Sequence, residues 1–257
     1  MTAIDRPVLE VRDATKRFGA VTALHGVSLH CAGGEVLALL GDNGAGKSTL
    51  IKAISGVHRL DSGQVSLDGV DITHANTHTT RGLGIETVYQ DLALFDNLAP
   101  AANFFAGREI AGPRWLPRAC RVLRGRAMSD RTRELVDRLQ ITLPDFEAPV
   151  ALMSGGQRQA VAVARAVAFS SKLVILDEPT AALGLRESAR VLDLIRLLKH
   201  DGVAVILISH SMDHVLAVAD RAVVLRRGRT VGEVQPTAQN LEQLVAWIVG
   251  AADGHRN

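Results

Sequence analysis

The chain has 257 residues, 47% of them hydrophobic and 22% charged, with a formal net charge of +2. That length can bury a sizeable core, as one large domain or a domain carrying a subdomain, and the composition excludes an intrinsically disordered chain. The near-neutral balance gives no support to nucleic acid as a partner, and the two cysteines, Cys31 and Cys120, form neither a secreted disulfide framework nor a zinc-site spacing. A reducing cytosolic setting is the expectation. No stretch is apolar over the roughly 18 residues that a spanning helix needs, so the chain is not expected to cross a membrane by itself.

At the N-terminus, VLEVRDATKRF and VTALHGVSLHC alternate apolar and polar residues, as half-buried antiparallel strands do, and Gly33-Gly34 closes them as a turn. The pattern then changes. EVLALLG is a nearly continuous apolar run, and KLVILDEP and VAVILISH are two more. Runs apolar on both faces suit central strands of a covered parallel sheet, with helices at 47–56 and 187–200 packed on its faces, which is a doubly wound α/β core.

Directly after the first apolar run comes GDNGAGKST, in which Gly41, Gly44, Gly46, Lys47 and Ser48 fit G-x-x-x-x-G-K-[ST]. A strand before and a helix after are what this phosphate loop requires. Its backbone amides, from Gly41, Asp42, Asn43, Gly44, Ala45 and Gly46 through Thr49, curl around β- and γ-phosphates; Lys47 adds a point charge, and Ser48 can ligate Mg²⁺.

Farther on, Gln90 follows IETVY at a strand end, where a glutamine can touch Mg²⁺ or an attacking water, although a strand-end glutamine is ordinarily a surface residue. From Gln90 to Val150 no buried strand is expected. The segment reads as an inserted helical subdomain, with a helix in SDRTRELVDRLQ capped by Ser129 and carrying Leu135 and Leu139 on one face. Within the insertion, residues 108–126 hold six arginines and one glutamate. They are either a solvated surface or a contact for acidic lipid headgroups or a partner's loops.

MSGGQRQAVAVARA then places Ser154, Gly155, Gly156 and Gln157 at a helix start, a second anion-binding end that one bound nucleotide does not need. In LVILDEP, Asp177 and Glu178 stand at the carboxyl end of a buried strand, beside where the phosphate loop must lie. Asp177 is placed to hold Mg²⁺, and Glu178 to polarise water as a general base. His210 ends the last apolar run, facing the same crevice and a γ-phosphate.

The phosphate loop, Gln90, MSGGQ, LVILDEP and His210, in this order, resemble the ATP-binding subunits of ABC transporters over nearly the whole chain. The resemblance implies a P-loop NTPase (RecA-like) α/β core with an N-terminal antiparallel β subdomain, 1–89 and 167–257, and a helical signature subdomain, 90–166, in a single ATP-binding domain 1–257. It implies ATP and Mg²⁺ as cofactors, Phe18 stacked on adenine, and a second ATP-binding subunit packed head to tail, so that Ser154 to Gln157 of one chain close over the ATP of the other. It also implies an integral membrane permease docked on the helical subdomain, and a peripheral place on the cytoplasmic face of the membrane.

Two residues depart from the family's pattern. Met153 replaces the usual leucine, a mild exchange, and Gly184 in EPTAALG stands where many members carry an aspartate. GIETVYQDLALFDNLAPAANFFAGREI and EPTAALGLRES are similar to the carbohydrate importers for ribose, xylose, galactose or fructose, which implies an extracytoplasmic sugar-binding protein as a further partner. An amino-acid importer or a lipid or drug exporter is the alternative. DNA-repair relatives carry a long coiled coil and translation-linked relatives two cassettes, and the sequence shows neither.

Overall fold

The alternating N-terminal stretches pair as antiparallel strands, β1 (Leu9–Phe18) and β2 (Val21–Cys31), in register from Leu9 opposite Cys31 to Phe18 opposite Val21. The structure is a computed structural model that describes residues 7–113, 115, 120, 122–138, 143, 145–181 and 183–251. The first apolar run is β3 (Val36–Leu40), buried along its whole length, and it leads through the glycine loop into α1 (Lys47–Ile54). Strands β4 (Ser62–Leu67) and β5 (Val70–Asp71) complete the first sheet in the order β2-β1-β4-β5. Helix α2 (Thr77–Gly82), capped by the Asn76 side chain on the Thr79 N–H, then delivers the chain to β6 (Ile85–Val88).

The insertion follows. It contains α3 (Pro100–Phe104), a two-stranded hairpin of β7 (Ala111–Gly112) and β8 (Val122–Leu123), and α4 (Gly125–Arg138). One feature is added here and one expectation changes. The hairpin is not a buried strand and was not foreseen, because Val122 and Leu123 are exposed and carry no burial pattern. Ser129 is not an N-cap: α4 already starts at Gly125, because Met128 joins Thr132, Leu135 and Val136 on the buried face and extends the apolar period upstream. Leu139 and the arginines at 114, 118 and 121 lie outside the described residues.

Helix α5 (Gly155–Phe169) returns the chain to the main sheet, where β9 (Leu173–Asp177), α6 (Leu185–His200), β10 (Ala204–Ile208), α7 (Met212–Val218), β11 (Arg221–Arg226), β12 (Arg229–Val234) and α8 (Leu241–Val249) follow. The strand order is β12-β11-β3-β10-β9-β6; all neighbours are parallel except the antiparallel pair at the β12 edge. Alternation inside the apolar strands explains why they had to be apolar throughout. Val174, Leu176, Val205 and Leu207 point into the core shared with α5, α6 and the insertion, whereas Leu173, Ile175, Ala204 and Ile206 point into the core shared with α1 and the N-terminal sheet. Among the described residues no helix is long and apolar enough to cross a membrane.

Candidate nucleotide site

The parallel topology puts the carboxyl ends of β3, β9 and β10 side by side, and with them the loop 41–48, Asp177 and Glu178, and His210. The loop's shape depends on its glycines. Gly41 has φ 145, and a Cβ there would sit 2.2 Å from the Leu225 carbonyl oxygen; Gly46 has φ 106, and its Cβ would sit 2.8 Å from the Ala23 oxygen. A neighbouring turn supports the loop from outside, the Gly228 N–H donating to the Ala45 carbonyl at 2.9 Å.

Lys47 curls back over the loop, its Nζ donating to the carbonyls of Gly41 at 2.6 Å and Asp42 at 3.1 Å. Burial lowers its pKa, and the negative charges of Asp177, Glu178 and Asp42 oppose that shift. The two acids move the other way. Burial raises the pKa of Asp177 and of Glu178, with Lys47 and His210 pulling both back down. Glu178 Oε1 is buried without a hydrogen-bond partner and lies 3.4 Å from His210 Nε2, whose imidazole is mostly exposed. The residue itself is left-handed, φ 52, which costs a non-glycine residue about 1–2 kcal/mol. Its N–H is pinned to the Ile208 carbonyl at 3.0 Å, so β10 holds the carboxylate at the sheet's mouth. Glu178 thus combines a strained backbone with a half-desolvated carboxylate that has the His210 imidazole 3.4 Å away, features that mark it as a candidate functional residue.

Gln90 stands exposed just beyond β6, and Phe18 is 45% exposed at the end of β1. Phe18 is therefore not a core residue: its ring meets His58 edge-on at 5.3 Å, with Lys16 Nζ 5.5 Å from the ring centre.

Ser154 to Gln157 are held apart from this group. Ser154 caps α5 by accepting from the Gln157 N–H at 3.3 Å, while Gln157 Oε1 accepts from the Ser154 N–H at 2.9 Å. This reciprocal box was legible as S-x-x-Q and was missed by the sequence reading. Ser154, Gly155, Gly156 and Gln157 line a separate cleft of about 630 Å³, together with Leu183, Gly184, Glu187 and Arg190, and no residue of the phosphate loop shares it. Gly184 opens α6, and a Cβ on it would meet Glu187 Oε2 at 2.7 Å, so the Glu187 carboxylate fills the space that a side chain at 184 would take.

The family described as ABC transporter matches residues 24–181. The chain belongs to the ABC transporter family. It is 46% identical over 250 residues to a xylose/arabinose import ATP-binding protein of Sulfolobus acidocaldarius, covering 97% of each chain. It is equally 46% identical over 251 residues to a fructose import ATP-binding protein of Rhizobium meliloti, covering 97% of this chain and 96% of that one. A ribose import ATP-binding protein of Rubrobacter xylanophilus is 42% identical over 245 residues, but this chain spans only 47% of its length. The fold agrees: a nucleotide-free ATP-binding cassette from an ABC transporter superposes with a TM-score of 0.80 at 24% identity, covering 95% of this chain and 98% of that one. As a member of this family the chain binds nucleotide and is an ATP hydrolase.

Three contacts of this ABC ATPase escaped the sequence reading. Thr180 Oγ1 lies 3.0 Å from His214 Nδ1, which ties the segment after Glu178 to α7. Arg108, expected within a solvated or partner-binding segment, instead binds the buried Glu86 of β6 and stacks 4.9 Å from the Phe169 ring centre. Arg165 on α5 donates to the carbonyls of Ala93 and Leu92, at 3.0 and 3.2 Å.

Proposed function

We propose that two copies of the chain pair head to tail around two ATP molecules and drive the import of a monosaccharide of the ribose, xylose, galactose or fructose type through a membrane permease. The observation that carries the paired arrangement is the separation of the phosphate-loop groups from the second anion-binding helix end. Lys47, Asp177, Glu178 and His210 gather at the loop, and the Ser154 helix end lines another cleft, which no residue of the phosphate loop shares. A dimeric cassette of this family, 23% identical with a TM-score of 0.75, has been solved with ADP and Pi bound, and it agrees with this chain in fold. The import of sugar rests on the relatives at 46% identity over nearly the full length.

In this reading the loop amides and Lys47 hold the β- and γ-phosphates, and Phe18 carries adenine. The partner's Ser154, whose hydroxyl oxygen accepts from its own helix, keeps its proton free to donate to the γ-phosphate. Glu178 takes a proton from water as the water oxygen attacks the γ-phosphorus; the bridging bond to ADP breaks, and His210 holds the transferring phosphoryl group. Ser48, Asp177 and Gln90 supply oxygen donors only, a set that would suit Mg²⁺, which when bound would neutralise charge on the phosphates. The insertion, 90–166, faces the permease on the cytoplasmic side, and a sugar-binding protein delivers the substrate from outside.

Mixing a Ser154→Arg chain with a Lys47→Ala chain tests the pairing, because their heterodimer retains one intact composite site. The mixture is expected to hydrolyse more ATP than either variant alone; no gain at any ratio rejects the paired site. In liposomes with a candidate permease and binding protein, stimulation by one of the four sugars supports import. Stimulation by an amino acid, lipid or drug instead transfers the chain to another transport class.

A further inference from the structure

Residues 113–126 carry five of the chain's 29 lysines and arginines and none of its 27 acidic residues, so the remainder of the chain is net acidic by three. The same stretch gathers apolar side chains that meet no core. Trp115 is 82% exposed, Val122 71% and Leu123 59%. Val122 and Leu123 are successive residues of β8 and so point to opposite faces of the hairpin, while their neighbours across on β7 are only Gly112 and Ala111, too small to cover them. A ribbon with apolar side chains exposed on both faces offers no pocket to a peptide, but it can enter a surface tip-first.

The ribbon's root is fixed. Arg108, just before it, binds the buried Glu86 of β6, and the Arg124 N–H donates to the Ile110 carbonyl at 2.8 Å where the two strands meet. A Cβ on Gly112 would stand 3.4 Å from Arg124 Cδ, so the apolar stem of Arg124 runs along the ribbon while the residue stays exposed. Among the described residues no carboxylate pairs with Arg124 or Arg126. An apolar stem with a charged end is the form in which arginine sits at a lipid surface, and tryptophan, with an apolar ring and one N–H donor, favours the same depth.

We infer that the β7–β8 hairpin is a foothold on an anionic phospholipid surface, with Trp115, Val122 and Leu123 entering the boundary between headgroups and acyl chains and Arg124 and Arg126 contacting lipid phosphates. The inference rests on the transport reading above, which sets the insertion toward a membrane, and adds a contact that does not pass through the permease. Charge complementarity selects an anionic surface, on which each arginine within reach strengthens partitioning about fivefold. The apolar tip selects lipid, because a two-stranded hairpin that is marginal by itself gains order where its bare side chains leave water.

The test uses the full-length chain without nucleotide, sedimented with vesicles of phosphatidylcholine alone or of phosphatidylcholine and phosphatidylglycerol in equal parts. The unaltered chain is expected to partition onto the anionic vesicles about a hundredfold more strongly than onto the neutral ones. Arg124→Gln/Arg126→Gln lowers the anionic partitioning about twentyfold, and Val122→Ser/Leu123→Ser about tenfold. Arg17→Gln/Arg229→Gln, which removes the same charge from exposed positions on β1 and β12, changes it by less than about threefold. Trp115 reports depth directly, because the chain has two tryptophans and the other, Trp247, is 6% exposed and packed on Gly232. A blue shift of emission on the anionic vesicles, with quenching by lipids brominated along the acyl chain, is expected from the unaltered chain and absent from Trp115→Phe. If a double variant does not fold, this pair decides. Equal partitioning of the hairpin and control variants, or a Trp115 that is neither shifted nor quenched, overturns the inference. Hairpin variants that bind vesicles normally but lose a permease held in nanodiscs of neutral lipid assign the hairpin to a protein partner and overturn it too. Absent vesicle binding with sugar-stimulated hydrolysis intact overturns the inference alone; vesicle binding without stimulation by any sugar overturns the transport reading alone.

Discussion

Replacing Gly228 by alanine tests whether the β11–β12 turn shapes the phosphate loop. Gly228 is left-handed, φ 74; its carbonyl accepts from the His25 N–H at 2.7 Å, and its own N–H donates to Ala45 of the loop at 2.9 Å. A Cβ at this position would stand 2.6 Å from the Ala23 oxygen and 3.0 Å from the Ala23 carbonyl carbon, backbone atoms that cannot swing aside as a side-chain tip does. The left-handed conformation costs alanine about 1 kcal/mol, and each backbone hydrogen bond lost as the turn backs away costs about 1 kcal/mol more. The loss of about 2–4 kcal/mol lowers Tm by about 5–15 °C in a domain of this size. Because Ala45 loses its support, the loop amides are less well aligned, and the Kd for ATP is expected to rise about tenfold. Calorimetric melting and titration with ATP read the two effects separately. A Tm within about 2 °C of the unaltered chain refutes the steric argument. A lowered Tm with unchanged ATP affinity refutes the link to the loop.

Glu178→Gln is expected to bind ATP yet lose about 100-fold or more in turnover, the range for a removed general base; near-normal kcat rejects the role. The same variant has a stability signature. Burial raises the Glu178 pKa, so the folded chain binds this proton more tightly than the unfolded one, and the associated stability is present below the unfolded value and lost as pH rises through the folded value. Melting without nucleotide or Mg²⁺ should therefore find Glu178→Gln more stable than the unaltered chain at about pH 8, the gap closing toward about pH 4. Ser154→Asp keeps an N-cap of equal strength while setting a negative charge where an anion is to bind; Tm should hold, and ATP hydrolysis should fall at least as far as in Ser154→Ala, which also loses about 1 kcal/mol of stability. Arg108→Ala leaves the buried Glu86 with the longer ion pair to Arg81, at 3.6 Å, and chemical denaturation should register a loss of about 3 kcal/mol, whereas a surface ion pair would show less than about 1.

The strands of the main sheet were legible because burial on both faces demands uninterrupted apolar runs, and the phosphate loop was legible because its glycines answer a local geometric need. Glu86 was not. It lies in the short strand IETV, and only the arrival of Arg108, far along the chain, makes its burial tolerable. Arg165 was hidden for a related reason: an arginine in an alanine- and valine-rich stretch of helix has no local sign that it clasps carbonyls some seventy positions earlier. The start of α4 was misplaced because Ser129 is a credible cap in isolation, and the arginine-rich stretch before it shows no period to say that the helix has already begun. Local stereochemistry is written in neighbouring letters, whereas long-range ion pairs are written only in the folded chain.

The position of β6 also bears on how such proteins diversify. Among the described residues β6 is hydrogen-bonded to β9 alone, and the insertion leaves the sheet after β6 and comes back to it at β9. The departing and returning connections are thus adjacent at the margin, and the strands that carry the phosphate loop and His210, β3 and β10, are bonded on both sides by others. A lineage can lengthen, shorten or rewrite the intervening segment without recutting the interior. The two parts are joined at one edge, so they can be revised at different rates.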